Sequence, residues 1–285
     1  MADRAFKVGF ARTDITPSLG VPMAGYTFLR KASAIRDNLE LNALAVSDGM
    51  QTAIILAADL LDLQDNELAL AMRKRIASAA GVPVETVYFH CTHTHLSPAF
   101  GKADPNGETS FDGDPTYCED LIAKACAAAK AAVADLSSAT IAIGHAEAKR
   151  ISFIRLRRKG KDEIVAVNFG THPDTVGGDA ISADWPGFAR RFTEKAMDGV
   201  KCIFFNGALG DVNPVVRRLR GQGRGDSVQG NGADDSRCRG RADAAARERA
   251  GCLCNADFVR ADRQCAPLCR HSGRAVYGNR PPDQR

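Results

Sequence analysis

Three of the chain's six histidines fall within six positions, in the stretch Tyr88-Phe89-His90-Cys91-Thr92-His93-Thr94-His95. A β-type run, Thr86-Val87-Tyr88-Phe89, leads into them, and a Pro- and Gly-rich segment follows. In extended backbone, residues i and i+2 point to the same side. His93 and His95 can therefore face one point, and His-x-His at a strand end is a sound beginning for a zinc site. The alternative is a polar loop whose imidazoles are satisfied by hydrogen bonds, and spacing does not choose between the two. Asp59, His172, Asp211 and Asn213 also stand just past apolar runs. Ligands bind at the C-terminal edge of open α/β sheets, so this repeated placement is read as an active site. Asp59 alone reads as a cap or turn, and His145, inside an alternating run, as structural. Arg155 is the candidate for meeting an anionic substrate group, whereas Arg158-Lys159-Gly160-Lys161 reads as a solvated hairpin tip.

The elements that must position these residues follow from patterning. Strands are expected near Val8, over Leu39–Val46, from Thr52, over Thr86–Phe89, over 139–147, over Glu163–Phe169 and over Lys201–Phe205. The apolar run from Thr52 is short and continuous, as in a buried strand. A helix capped by Asp65 carries Leu68, Met72 and Ile76 on one face and stops at Gly81 and Pro83. An Ala-rich helix runs from Thr116 to Leu136, with Tyr117, Leu121, Ala125 and Val133 on its apolar side. A third is capped by Ser182 or Asp184, has Pro186 in its first turn, and carries Phe188 and Phe192 as its apolar side. Alternating strands and helices joined by ordinary loops predict an α/β or mixed α+β domain, with layered sheets flanked by helices.

Composition divides the chain in two. Residues 1–216 hold 23 Lys+Arg against 26 Asp+Glu, whereas residues 217–285 hold 15 Arg against 8 acids, with no Lys, no Ile and five of the nine cysteines. The first segment is expected to be the folded domain. The second has eight Ile, Leu, Val, Met, Phe, Trp or Tyr residues among 69, too few to offset its ordering entropy. It reads as a disordered tail or as a reading-frame artefact beginning near residue 216. Two further readings are a zinc knot built on Cys252, Cys254, Cys265, Cys269 and His271, and an Arg-rich arm binding nucleic acid through phosphates. Aromatics for base stacking are nearly absent from it. The N-terminus shows no secretory pattern and no apolar run reaches membrane-spanning length, so a cytoplasmic protein is expected.

Several separated motifs, in order, resemble the N-terminal domain of the neutral/alkaline, non-lysosomal ceramidases. They are Val8-Gly9, Asp14-Ile15-Thr16-Pro17, Gly25-Tyr26, His93-Thr94-His95, Thr171-His172-Pro173, Ser182-Ala183-Asp184-Trp185-Pro186-Gly187 and Asn206-Gly207 through Gly210-Asp211 to Asn213-Pro214. The resemblance implies a zinc amidohydrolase of lipid or sphingolipid metabolism acting on a small N-acyl amide or lipid-like substrate. Carried over by position, His93 and His172 are zinc ligands. His95 lies beside the metal and serves proton transfer or oxyanion stabilisation. Arg155 would position the polar head of the substrate.

The chain also departs from that pattern. Leu96-Ser97-Pro98 follows His95 where the family has Ser-Gly-Pro, and Ile154 replaces an Asn before Arg155. Asn213 stands where true ceramidases carry a catalytic Ser, so the resemblance does not bring ceramide specificity with it. The family's remaining ligands, a Glu and a Tyr, come from sequence beyond the Asn-Pro motif. The chain as written is therefore read as truncated, with weak zinc binding and little or no hydrolysis. The alternatives are a non-catalytic homologue, or nucleic-acid binding through the basic tail.

Overall fold

Aliphatic and β-branched runs form the strands, and polar residues stand at or just past several of their ends, among them Asp59, Thr92 and Asn206. The computed structural model describes residues 5–104, 109, 111–146 and 151–214. The segment 217–285, with its readings as tail, zinc knot, nucleic-acid arm or reading-frame artefact, lies outside the described residues. In chain order the elements are β1 (Lys7–Asp14), β2 (Pro22–Met23), β3 (Arg30–Lys31), β4 (Ala34–Ile35), β5 (Glu40–Ser47), β6 (Thr52–Ala58), α1 (Asn66–Ala80), β7 (Val87–Cys91), α2 (Pro115–Ala134), β8 (Ser137–Ala146), β9 (Ile151–Arg158), β10 (Glu163–Phe169), β11 (Ala180–Ile181), α3 (Asp184–Ala196) and β12 (Val200–Asn206). No helix among the described residues is long and apolar enough to cross a membrane.

Eight strands form one sheet in the order β12-β10-β9-β8-β1-β5-β6-β7. The β6–β7 and β10–β12 pairs are parallel and the other neighbours antiparallel. Among the described residues, its two four-stranded halves pair as strands only where Lys7 and Val8 of β1 meet Ser138 and Ser137 of β8. The halves fold over one another. Val8, Leu44 and Ala57 of the first pack with Leu156, Ile164, Ala166 and Ile203 of the second.

The outer face of the first half, including Leu41, Ala43, Ile54 and Leu56, is covered by Met72 and Ile76 of α1 and by Leu121, Ile122, Ala125 and Ala129 of α2. On the second half, Val165, Val167, Cys202 and Phe204 pack against Trp185 of α3 and Met197. The result is a helix–sheet–sheet–helix sandwich, the mixed α/β layering that the alternating elements imply. Gly9 allows α2 to lie directly on β1, because a Cβ there would stand 1.9 Å from the Ala132 carbonyl oxygen.

The helix ends follow the expected chemistry at α1. Asp65 accepts a hydrogen bond from Leu68 N at 2.9 Å, and Gly81 adopts φ 68° at the stop. α3 departs from expectation twice. Its N-cap is Ala183, without a side-chain cap. Its buried side is not Phe188 and Phe192 but Asp184, Pro186, Gly187, Arg190 and Thr193, and Phe188 remains 45% exposed. The reason is electrostatic, since the buried Arg190 meets two carboxylates at the rim of the sandwich, as described below. The free edges β7 and β12 are tied together at their ends. Asn206 N donates to His90 Nε2 at 2.9 Å, and Asn206 Nδ2 donates to Thr92 O at 2.9 Å. β6, β7, β10 and β12 all end at this rim, where the histidines lie.

Candidate metal centre

His93 and His95 follow β7 directly, and the chain leaves the strand through a strained residue. His93 has φ 69°, in the left-handed region, a conformation that costs about 1–3 kcal/mol and persists only where its surroundings over-determine it. Here they do. His93 N donates to Leu60 O at 2.8 Å, and Thr92 N to Ala58 O at 2.9 Å. His93 Nδ1 lies 3.0 Å from Leu61 O, and His95 Nδ1 lies 2.8 Å from Gly25 O. A carbonyl oxygen only accepts, so both Nδ1 atoms carry the proton, and in the neutral rings both Nε2 atoms present lone pairs. Backbone carbonyls orient metal-ligating imidazoles in this way.

His172 arrives from the other half of the sandwich, three residues past β10. Its N–H donates to Val212 O at 2.8 Å, and its carbonyl accepts from Trp185 Nε1 at 3.3 Å. The three rings stand 4.9–5.3 Å apart between centroids. One ligand atom from each lies within 4.8 Å of the others. His95 Nε2 is 2.9 Å from His172 Nε2, and His172 Nδ1 is buried without a hydrogen-bond partner among the described residues. Burial holds the pKa of His95 below its ordinary value against the opposing pull of Asp174, and neighbouring positive charge at His93 or His172 would lower it further. At this distance a neutral His172 with its proton on Nε2 donates to His95 Nε2, and the same two atoms can instead turn their lone pairs to a cation.

The donor set fits such an ion. Two imidazoles on one tetrahedral zinc, at Zn–N of about 2.0–2.1 Å, stand roughly 3.3 Å apart, and the observed pair needs to open by about 0.4 Å. Three neutral imidazoles suit zinc, copper, iron or nickel rather than magnesium or calcium. His93 and His172 could hold the ion with His95 beside it, or all three could serve as donors.

The other expected site residues divide. Asn213 is exposed and directly follows Val212, whose carbonyl holds both His172 N and Thr171 Oγ1, so its loop is part of the centre. Arg155 is not brought to the histidines. In β9 it pairs with Val165, three residues from Ser152 at the rim and so about 10 Å back along the strand, and its Nε donates to Glu163 Oε2 at 2.5 Å. His145 is exposed on β8, with Nδ1 3.0 Å from Ser152 Oγ. His90, within the same cluster in sequence, ties the sheet edges together, and burial lowers its pKa.

Several residues of the centre make contacts that the sequence pattern did not give. Tyr26 donates from its hydroxyl to Asp174 Oδ1 at 2.7 Å, sets its ring edge on His95 with centroids 5.6 Å apart, and stacks on the exposed Phe28, also at 5.6 Å. Arg30 lies over the Tyr26 ring at 4.2 Å and donates to His95 O. Asp59, read as a cap, forms an ion pair with Arg190. Asp184, also read as a cap, accepts from Thr175 N, Thr175 Oγ1 and Val176 N and so fixes the loop that follows His172. The family motifs contain Gly25-Tyr26 and Asp184, and Asp59 stands past an apolar run, but neither the motifs nor that placement gave the contacts these residues make, and Arg30 and Arg190 had no signal at all.

Neither a protein-family model nor a curated protein matches the sequence. Solved structures do match the fold. The crystal structure of neutral ceramidase from Pseudomonas aeruginosa superposes with a TM-score of 0.63 at 16% identity, covering 79% of this chain and 42% of that one. A ceramidase complexed with C2 superposes with a TM-score of 0.62 at 16% identity, covering 74% and 39%. This chain thus spans about two-fifths of the length of the ceramidases it matches. The sandwich therefore has a ceramidase-like fold.

Proposed function

We propose that this chain is a zinc-dependent hydrolase of N-acyl amides, with His93 and His172 holding the ion and His95 handling the proton. The convergence of three imidazoles from both halves of a ceramidase-like sandwich carries this reading. When bound, the ion supplies Lewis acidity and brings the pKa of a coordinated water near neutrality. The protein's own groups do the rest. The carbonyls of Leu61 and Gly25 fix the tautomers of His93 and His95. Burial keeps His95 neutral, the state a proton acceptor needs, and it can return that proton to the departing amine. Asn213 offers an amide to a polar group of the substrate. Phe28, 59% exposed, stacks on Tyr26, whose ring edge meets His95, and offers an acyl chain an apolar approach to the centre.

The test is zinc titration of the metal-stripped chain, with release of fatty acid from N-acyl amides measured in parallel. His93→Ala and His172→Ala should each abolish the zinc binding measured in the parent, and His95→Ala should retain it but lose any turnover the parent shows. Zinc affinity unchanged from the parent in both His93→Ala and His172→Ala would sink the assignment.

A further inference from the structure

Arg190 is 2% exposed and Asp59 fully buried. We propose that this ion pair is the positioning device of the centre, acting on His93 through Thr92. The inference rests on the reading of the histidines as a working site.

Asp59 is clamped on every side. Arg190 Nη1 donates to its Oδ1 at 2.8 Å and Nη2 to its Oδ2 at 2.5 Å. Glu40 N donates to Oδ2 at 2.9 Å, and Asp59 N donates to Glu40 O at 3.0 Å. Burial opposes the charge on Arg190, but the Asp59 and Glu40 carboxylates outweigh it and raise its pKa. The remaining donor to Asp59 Oδ1 is Thr92 Oγ1, at 3.1 Å. Asp59 thereby fixes the residue immediately before the strained His93.

It also fixes the carbonyls that aim the ring. Ala58 O, Leu60 O and Leu61 O take Thr92 N, His93 N and His93 Nδ1. Asp59 lies within this run, so a shift of its side chain moves all three acceptors together. A buried ion pair is a poor means of adding stability, because a well-packed apolar pair does as well. What the bidentate fork adds is a fixed direction. The same helix serves the other side of the centre. Asp184 and Trp185 of α3 hold the His172 loop, so α3 references both arms of the centre to one rigid element.

Three variants test this, read first without metal by NMR of chain labelled with ¹⁵N at histidine. Thr92→Val removes only the hydroxyl and leaves the ion pair in place. Arg190→Lys keeps the charge and loses the fork. Thr92→Ser restores the hydroxyl. In the parent chain His93 should show a single neutral Nδ1–H tautomer. Thr92→Val and Arg190→Lys should turn it into an averaged pattern while the His95 tautomer persists, and Thr92→Ser should restore it. Zinc affinity, read by calorimetry, should fall about tenfold in the first two variants and recover in the third. If Arg190→Lys fails to fold, Thr92→Val decides. An unchanged His93 pattern in Thr92→Val would overturn the inference, as would equal changes at all three histidines tracking a loss of global stability. A parent chain that binds no zinc would remove the proposed function and leave the tautomer result to judge the positioning role.

Discussion

Gly25→Ala should damage the histidine centre in a way that a matched glycine elsewhere does not. Gly25 has φ +101°, and a Cβ built on it would stand 2.8 Å from His95 Cα, 2.8 Å from His95 Cβ and 2.9 Å from Cγ. Gly178 has nearly the same φ, +106°, with nothing within 4 Å of such a Cβ. Both substitutions incur the backbone strain of an L-residue at positive φ, about 1–3 kcal/mol. Only Gly25→Ala adds overpacking against His95, a further 1–3 kcal/mol or so. It also pushes away the imidazole that Gly25 O orients at 2.8 Å. Urea unfolding followed by circular dichroism gives the two losses by linear extrapolation, and zinc titration gives the effect on the centre. Gly178→Ala should lose stability and keep its zinc affinity, whereas Gly25→Ala should lose more stability and bind zinc more weakly. Equal losses in the two variants, with zinc affinity unchanged in both, would refute the claim that the Gly25 backbone seats His95.

Arg190→Met leaves the Asp59 carboxylate buried and unpaired and should cost about 3–5 kcal/mol in urea unfolding; adding Asp59→Asn should recover most of that loss, and a double variant no more stable than the single one would contradict it. Asp184 has its pKa raised above the ordinary 3.8 by burial, against hydrogen bonds from Thr175, Trp185 and Val176. The native chain therefore holds this proton where the unfolded chain has released it, and the group's contribution to stability falls as pH rises from 3.8 through the raised native value. Asp184→Asn should remove that slope, seen as a wild-type-minus-variant difference in urea midpoint that changes across this window and is flat above it.

Much of the scaffold was legible because local rules set it. Asp65 and Gly81 bound α1 for reasons contained within one helical turn, and the runs from Thr52 and Glu163 are strands because continuous apolar residues at that length need a buried sheet. His93, His95 and His172 were found by spacing and motif, since each follows a strand at the same rim. The misreadings were all tertiary. Arg155 looked close to a strand end, but pairing with Val165 sets it back from the rim, and register is not a local property. Phe188 and Phe192 looked like the inward side of α3 because they stand four residues apart, about one helical turn. The helix instead turns Arg190 inward, and the partner that justifies this, Asp59, is 131 residues away in sequence. No window of a few turns contains both charges. The folding of one sheet over itself was equally hidden, because it depends on a two-residue join between β1 and β8.

That separation also bears on the birth of the protein at the ribosome. At roughly 5–20 residues per second, the 131 positions between Asp59 and Arg190 correspond to about 7–26 s of synthesis. From the moment His95 is made until Arg190 is added, the nascent chain contains β6, β7, His93 and His95 while the cation that neutralises Asp59 does not yet exist. His172 and α3 emerge within the same last stretch. The centre is therefore completed late, after α1 and α2 can already cover the first half-sheet, and a growing chain cannot present a finished set of ligands to the metal ions of its surroundings until nearly all of the sandwich has been made.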